Sequence, residues 1–399
     1  MTVFVDQVRK EKINDLGKYQ ETPAVDLPFV EKAIQHVLAK IDQSLDVFTD
    51  LFPNTNSDNL VYKPIENVEW TTSFWTGMLW LAYEYTGDEK YRKVAEKQVE
   101  SFKERLDKRI EVDHHDLGFL YTLSCVSAYK LTGNKLARDT AIKAADLLIT
   151  RYYDKAGIIQ AWGDLTDPKQ KGRMIIDCNM NLPLLYWASE VTGKAIYREI
   201  AQNHVKQAAK YIVRQDASTF HTYYMDPETG KPLYGNTHQG FSDDSCWARG
   251  QSWGIYGFPL SYHYTEDWNL IKLAKKLTNY YLNRLPEDQV CYWDLIFTEG
   301  DEERDSSAAA ITVCGLLEMT RHLPLTDPEK RVYENAALAM IQSLYENYTT
   351  ELDSVANGIL KHAVYYKAGG LGVDESCIWG DYYYFEALIR LAKDWKMYW

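Results

Sequence analysis

The sequence predicts an all-α protein, an (α/α)6 toroid in which six helical hairpins make a double ring of inner and outer helices. Three observations lead there. A turn phrase recurs, reading Tyr85-Thr-Gly-Asp88, Leu131-Thr-Gly-Asn134, Val191-Thr-Gly-Lys194, Tyr264-Thr-Glu-Asp267 and Leu325-Thr-Asp-Pro328. Its copies lie roughly 45 to 75 residues apart, the mark of a repeated helical hairpin. The segments on either side of each turn alternate in chemistry, and no Gly/Ser/Pro-rich linker divides the 399 residues.

Residues 1–27 are expected to form an N-terminal extension and 28–399 a single barrel-shaped catalytic domain. The candidate helices, in order, are 28–49, 72–85, 89–107, 116–131, 135–152, 178–192, 195–214, 247–264, 267–284, 306–322, 327–347 and 376–394. Glycine after an apolar helix acts as a C-cap, and the Asp, Asn or Thr near it can open the next helix. The even-numbered members, such as TSFWTGMLWLAYEY and SSAAAITVCGLLEMTRH, are apolar nearly all round. The odd-numbered members carry a Lys/Glu-rich face. A helix apolar all round is buried, and one with a charged stripe is peripheral. An open superhelical array would show the same alternation; the uneven spacing and long loops favour closure. Strand signals are few: Phe220–Met225 alternates weakly and Asp226-Pro-Glu-Thr-Gly230 is a turn, so a small hairpin is expected there.

Composition narrows the function. A net charge of −13 disfavours a nucleic-acid partner, and no apolar run is long enough for a bilayer. The start, MTVFVDQVRKEKIN, lacks the apolar core of a signal peptide. The six scattered cysteines, with no CxxC, suit reduced thiols, so a cytoplasmic location is expected. Twelve Trp and thirty Tyr exceed what a core needs. Aromatic faces beside hydrogen-bonding groups suit sugar rings, although many of these residues must simply pack.

Each inner helix opens on a polar cluster: Glu69–Trp75, His114–Phe119, Asp177–Asn181, Ser245–Trp253, Arg304–Ser307 and Asp374–Trp379. In a ring of hairpins these N-termini converge on one mouth, whose helix dipoles favour an anionic ligand. Asp116 and Asp177 stand out. Each could be a plain N-cap. Two carboxylates facing one cavity, however, push their pKa values apart, so one can stay protonated as a general acid. Adjacent histidines diverge on a helix, so Asp113-His-His-Asp116 is not expected to hold a metal. Arg249, with Gly beside it and Trp247 and Trp253 flanking, could be a structural ion-pair residue or a carboxylate clamp. His221 could be an exposed loop histidine.

The motifs His115-Asp-Leu-Gly-Phe-Leu-Tyr121, Asp177-Cys-Asn-Met-Asn-Leu182 and Ser245-Cys-Trp-Ala-Arg-Gly-Gln-Ser-Trp-Gly254 together resemble the unsaturated glucuronyl hydrolases, glycoside hydrolase family 88. The similarity runs from about Trp70 to Trp379. It implies the (α/α)6 barrel, no metal or other cofactor, and action on the disaccharides that polysaccharide lyases leave. By the same resemblance Asp177 is the general acid/base and Asp116 its catalytic partner. Gly235, Thr237 and Gln239 match the substrate loop, and Arg249 and Trp253 match the RGQ-x-W motif. Trp70, Trp162 and His221 match positions lining the sugar sites. The departure is Lys367-Ala-Gly-Gly-Leu-Gly372, where sulfate-tolerant relatives carry Ser-x-x-Ser-x-Lys. Unsulfated hyaluronan- or chondroitin-derived disaccharides are therefore expected to be preferred, unless Lys367 reaches a sulfate alone. The rival readings are an unsaturated rhamnogalacturonyl hydrolase acting on pectin fragments, a sugar epimerase with paired histidines, and a non-enzymatic sugar-binding toroid.

Overall fold

The computed structural model describes residues 2–399. Its helices are α1 (Thr2–Gln7), α2 (Leu27–Ser44), α3 (Thr72–Thr86), α4 (Glu89–Asp107), α5 (Leu117–Tyr121), α6 (Ser127–Thr132), α7 (Lys135–Ile149), α8 (Leu182–Thr192), α9 (Ala195–Gln207), α10 (Ala248–Thr265), α11 (Trp268–Leu282), α12 (Ser306–His322), α13 (Lys330–Tyr348) and α14 (Ile378–Ala392). The fold is all-α, with short strands confined to loops.

The recurring turn works as its chemistry requires. Helices α3, α6 and α8 end at Gly87, Gly133 and Gly193, each left-handed with φ of 71°, 71° and 72°. Next in the chain, the Asp88 and Asn134 side chains accept from Lys90 N–H and Ala137 N–H and so start α4 and α7. At the fourth turn Glu266 takes the left-handed place of glycine, and Asp267 caps α11.

Burial follows the alternation. Every residue of α10 from Ala248 to Ser261 is buried, whereas α4 buries only one stripe of its surface. Hairpin contacts join α3 to α4, α5 to α7, α8 to α9, α10 to α11, α12 to α13 and α14 to α2. The apolar helices also touch in sequence: α3 meets α5, α5 meets α8, α8 meets α10, α10 meets α12, α12 meets α14, and α14 returns to α3. The segment before α2 packs on the outside of these helices, α1 against α11 and Gly17–Tyr19 against α13, and buries Val5, Val8 and Tyr19 there.

Three helices differ from the sequence expectation, the segment 195–214 because it closes in a π turn at Ala208–Ile212 after α9. The segment 116–131 is interrupted by a π turn at Thr122–Val126. Ser124 and Ser127 direct their hydroxyls onto the carbonyls of Leu120 and Leu123 four residues back, which loosens the helical ladder there. The segment beginning at 178 opens instead as a 3-10 turn, Ile176–Met180, before α8.

The strands are β1 (Phe52–Pro53), β2 (Pro64–Ile65), β3 (Tyr152–Tyr153), β4 (Ile158–Ile159), β5 (Arg173–Ile175), β6 (Thr222–Met225), β7 (Pro232–Asn236), β8 (Ala363–Tyr366) and β9 (Leu371–Glu375). The expected hairpin is β6–β7, and β5 joins it antiparallel as a third strand. β8 and β9 form a further antiparallel hairpin that the few strand signals do not mark.

Candidate active site

The two aspartates reach one place because two helix starts pack backbone to backbone. A Cβ on Gly118, in the first turn of α5, would sit 2.2 Å from Asn181 Cα, just ahead of α8. Only glycine permits that approach. Asn181 then ties the two sides together. Its Oδ1 accepts from Phe119 N–H at 2.8 Å. Its Nδ2 lies 3.5 Å from Asp116 Oδ1 and 3.4 Å from the Asp177 carbonyl.

Neither aspartate is a cap. Asp116 stands at the N-cap position of α5 but its side chain makes no cap bond. Asp177 lies inside the 3-10 turn, and its Oδ1 is buried without a partner. Their surroundings divide them. Burial, then the charge of Asp116, pushes the Asp177 carboxyl up to about 7, against the opposing pull of Arg249. Burial would raise Asp116 as well, but His115, His114 and Asn181 outweigh it and hold that carboxyl below its usual value. His114 Nδ1 lies 3.3 Å from Asp116 Oδ2, and His115 Nε2 lies 3.3 Å from Oδ1. Near neutral pH one carboxyl can hold a proton while its neighbour stays ionised, which is the arrangement general acid/base chemistry needs.

Both face a cavity of about 320 Å³, whose wall includes Trp70, His114, Asp116, Trp162, Asp177, His238, Gln239 and Tyr365. Trp70 stacks on Trp379 at 5.4 Å and donates from Nε1 to the Tyr365 hydroxyl at 3.2 Å. Trp162 is flanked by His238 at 5.6 Å and by the Arg173 guanidinium at 4.7 Å. Gln239 is held by its Nε2 donating to the Tyr365 carbonyl at 2.9 Å.

Other expected site residues stand behind this wall. His221 is buried, not an exposed loop residue. Its Nδ1 accepts from His238 N–H and Gln239 N–H at 3.0 and 3.2 Å, so the ring braces the loop that carries Gln239. Burial depresses its pKa well below the usual value, which keeps it neutral. Thr237 turns the same loop: its N–H donates to Asp243 at 2.8 Å and its hydroxyl accepts from Gly240 N–H at 2.8 Å. A Cβ on Gly235 would strike the Phe220 ring at 2.5 Å. Trp253 is fully buried, 5.4 Å from Phe119.

Arg249 shows the ion pair, one of the two readings open for it. It is 1% exposed, and its guanidinium donates to Asp305 at 3.1 Å, to the Val364 carbonyl, and to the Tyr365 carbonyl at 2.7 Å. It sits between Trp247 and Trp379, at 4.5 and 4.8 Å from their rings. It holds β8 in place through these bonds, and its charge opposes the rise in the Asp177 pKa. Lys367 does not present a free ammonium, because it is ion-paired with Glu303.

The sequence reading missed His238, Tyr365 and Asn181. Asn181 lay inside a motif already singled out. His238 lay within the substrate loop between two matched positions. Tyr365 lay on an unrecognised strand, and nothing local marked it.

The profile of Glycosyl Hydrolase Family 88 matches residues 41–392. The chain belongs to that family. It is a glycosidase by that membership. An unsaturated chondroitin disaccharide hydrolase of Streptococcus pneumoniae is 50% identical over 397 residues, covering 99% of this chain and 100% of the relative. The crystal structure of unsaturated glucuronyl hydrolase from Streptococcus agalactiae superposes with a TM-score of 0.96 at 50% identity, covering 98% of this chain and 99% of that one. A mutant of the Streptococcus agalactiae protein complexed with dGlcA-GalNAc6S superposes with a TM-score of 0.88 at 47% identity, covering 98% and 99% of the two chains. Among the described residues no helix is long and apolar enough to cross a membrane.

Proposed function

We propose that this family 88 enzyme removes a 4-deoxy-hex-4-enuronic acid from the non-reducing end of glycosaminoglycan disaccharides left by lyases, hydrating the C4=C5 vinyl ether. The observation that carries the reading is the pair of carboxylates on one cavity, one raised to about 7 and the other lowered. The names of the relatives supply the substrate class. Residues 28–399 act as one catalytic unit. The circuit of contacts from α3 round to α14 and back supports a closed (α/α)6 toroid. Six free, buried cysteines suit a reducing cytoplasm.

Asp177 donates its proton to C4 of the enoate. Positive charge then develops at C5 and the ring oxygen, where the ionised Asp116 and the substrate's own carboxylate offset it. Asp177, now ionised, draws a proton from water as the water adds to C5. The hemiketal opens and expels the remaining sugar. Trp70 and Trp162 offer apolar faces to the rings, and Gln239 offers a fixed polar group. No metal or cofactor takes part in this scheme.

The test is loss of the enoate ultraviolet absorbance with unsaturated chondroitin and unsaturated rhamnogalacturonan disaccharides as parallel substrates. Turnover of the first is expected, with solvent oxygen appearing at C5 of the keto acid in labelled water. Preference for the second would assign the enzyme to pectin. Cleavage of a saturated glucuronide at a comparable rate would show ordinary displacement chemistry.

A further inference from the structure

His263, Glu318 and His322 converge at the opposite end of the inner helices from the catalytic pair. One ligand atom from each lies within 4.8 Å of the others. His263 is in the last turn of α10, and Glu318 and His322 are one turn apart at the end of α12. His263 stands 14 residues beyond Arg249 on α10, or about 21 Å along the helix, so the cluster is remote from the cavity.

An i,i+4 ion pair between Glu318 and His322, at 2.9 Å, is ordinary on a helix and needs no ligand to explain it. The third group is not explained that way. His263 comes from a neighbouring helix, and its ring centroid lies 6.2 Å from that of His322. The carboxylate is held firmly. Glu318 is 1% exposed, and its second oxygen accepts from Arg390 at 2.8 Å. The Tyr262 ring packs edge-on against His322 at 4.7 Å and fixes its plane. Exposed His263 can rotate, and its exposure leaves a face open to water.

We propose that His263, Glu318 and His322 form a binding site for a divalent transition cation of the zinc class, with water as the fourth ligand. Two imidazoles and one carboxylate suit such a cation, whose bonds of about 2.0–2.2 Å set neighbouring ligand atoms roughly 3.3 Å apart. Reaching that spacing needs His263 to turn inward and the 2.9 Å Glu318–His322 hydrogen bond to open slightly around the ion. Arg390 then serves as the outer partner that orients the ligating carboxylate, as ligands commonly require. Its positive charge works against the cation, while the negative ends of the α10 and α12 dipoles work in favour. The bound ion ties the two helix ends together. It touches neither catalytic aspartate, so it supplies stability and no chemistry.

Isothermal titration of chelator-stripped, dialysed protein with zinc chloride tests this, alongside His263→Ala and His322→Ala. One zinc per chain is expected, with micromolar or tighter affinity and a Tm that rises with zinc concentration. Each variant should weaken binding at least about tenfold, the loss of one ligand contact, while keeping the enoate turnover of the parent; exposed His263→Ala should also keep the zinc-free Tm, whereas His322→Ala lowers it because Glu318 loses an ion-pair partner. Absence of binding below about 100 µM zinc in the parent, or binding in both variants as tight as in the parent, overturns the proposal.

Discussion

Asp116 and Asp177 are chemically identical side chains at neighbouring helix starts, and their partners alone make them different. The consequence is a pH profile. In the proposed mechanism the free enzyme carries Asp177 protonated, so kcat/KM should fall as pH rises through about 7. Asp177→Asn should lose about a hundred- to ten-thousand-fold in kcat, the usual cost of removing a general acid/base. Retention of a tenth of the parent rate would take Asp177 out of the mechanism. Stability carries the same signature. The folded pKa of Asp177 is raised above its unfolded value, so the folded state binds the extra proton. Its contribution is fully present below the unfolded pKa and is lost as pH rises towards 7. The asparagine variant should therefore gain stability relative to the parent as pH is raised from about 5 to 8, by at most about 3 kcal/mol. Urea titrations at the two pH values check it; an equal difference at both would show an unperturbed group. Arg249 behaves otherwise. With its donors on Asp305 and two carbonyls of β8, Arg249→Lys should cost about 1–3 kcal/mol of stability, since the ammonium cannot reproduce the fork. A changed KM with an unchanged unfolding midpoint would return Arg249 to direct substrate contact.

At the scale of elements, the approach of α5 to α8 sets the site. Gly118→Ala places a Cβ into the Asn181 backbone, which has no side-chain freedom to yield. The two helix starts must part, and the Asn181 link between Asp116 and Asp177 must stretch. A displacement on the order of 1 Å can cost about a hundredfold in rate. The variant should thus lose activity far beyond its loss of fold, compared by kcat and circular dichroism on the same sample. Activity within a factor of about two would show that the spacing is not critical. The glycine was visible in the sequence as part of a motif, but its reason was not, because the atom it spares lies 63 residues away in Asn181. Helical hairpins such as α3–α4 were legible because their turns are local: a left-handed glycine and an Asp cap sit side by side. The β8–β9 hairpin was not, because its role is set by distant contacts from Arg249 and Gln239. That hairpin also bears on sulfate. Lys367 is neutralised by Glu303, and Gly370 and Gly372 offer only backbone groups at φ of 65° and 53°. Unsulfated disaccharides should therefore have the higher kcat/KM, and Lys367→Ala should change the ratio to 6-sulfated chondroitin disaccharide little. A sulfated preference abolished by Lys367→Ala would show that the lysine leaves Glu303 to bind the ester.

The molecule as a whole is polar in its layout, with the proposed chemistry at the N-terminal ends of the apolar helices and the chain's last residues packed across their other ends. Those residues follow α14. Trp395 Nε1 and the Tyr398 hydroxyl both donate to Glu84 in the last turn of α3, at 3.0 and 2.8 Å. Lys130 of α6 donates to the Met397 and Tyr398 carbonyls at 3.1 and 2.9 Å. Tyr264 of α10 donates to the Trp399 carbonyl at 2.8 Å. Trp399 itself is 1% exposed, stacks on Tyr383 at 5.9 Å, and donates from its indole to Glu386 at 2.8 Å. Its ring also meets Phe119 edge-on at 6.1 Å, and Phe119 carries the N–H that fixes Asn181. The floor of the catalytic pair thus rests on a residue more than 200 positions away in sequence. Trp399→Ala should cost about 3–5 kcal/mol, the usual range for emptying a buried aromatic site. It should also lower kcat in the protein that remains folded, because Phe119 loses its backing. Trp399→Phe separates the two effects. It restores a ring against Phe119 but leaves Glu386 without its indole donor, so it should recover most of kcat and only part of the stability. Rates measured well below the unfolding midpoint decide the matter: equal kcat in the parent and Trp399→Ala would show that the tail closes the molecule without supporting its chemistry.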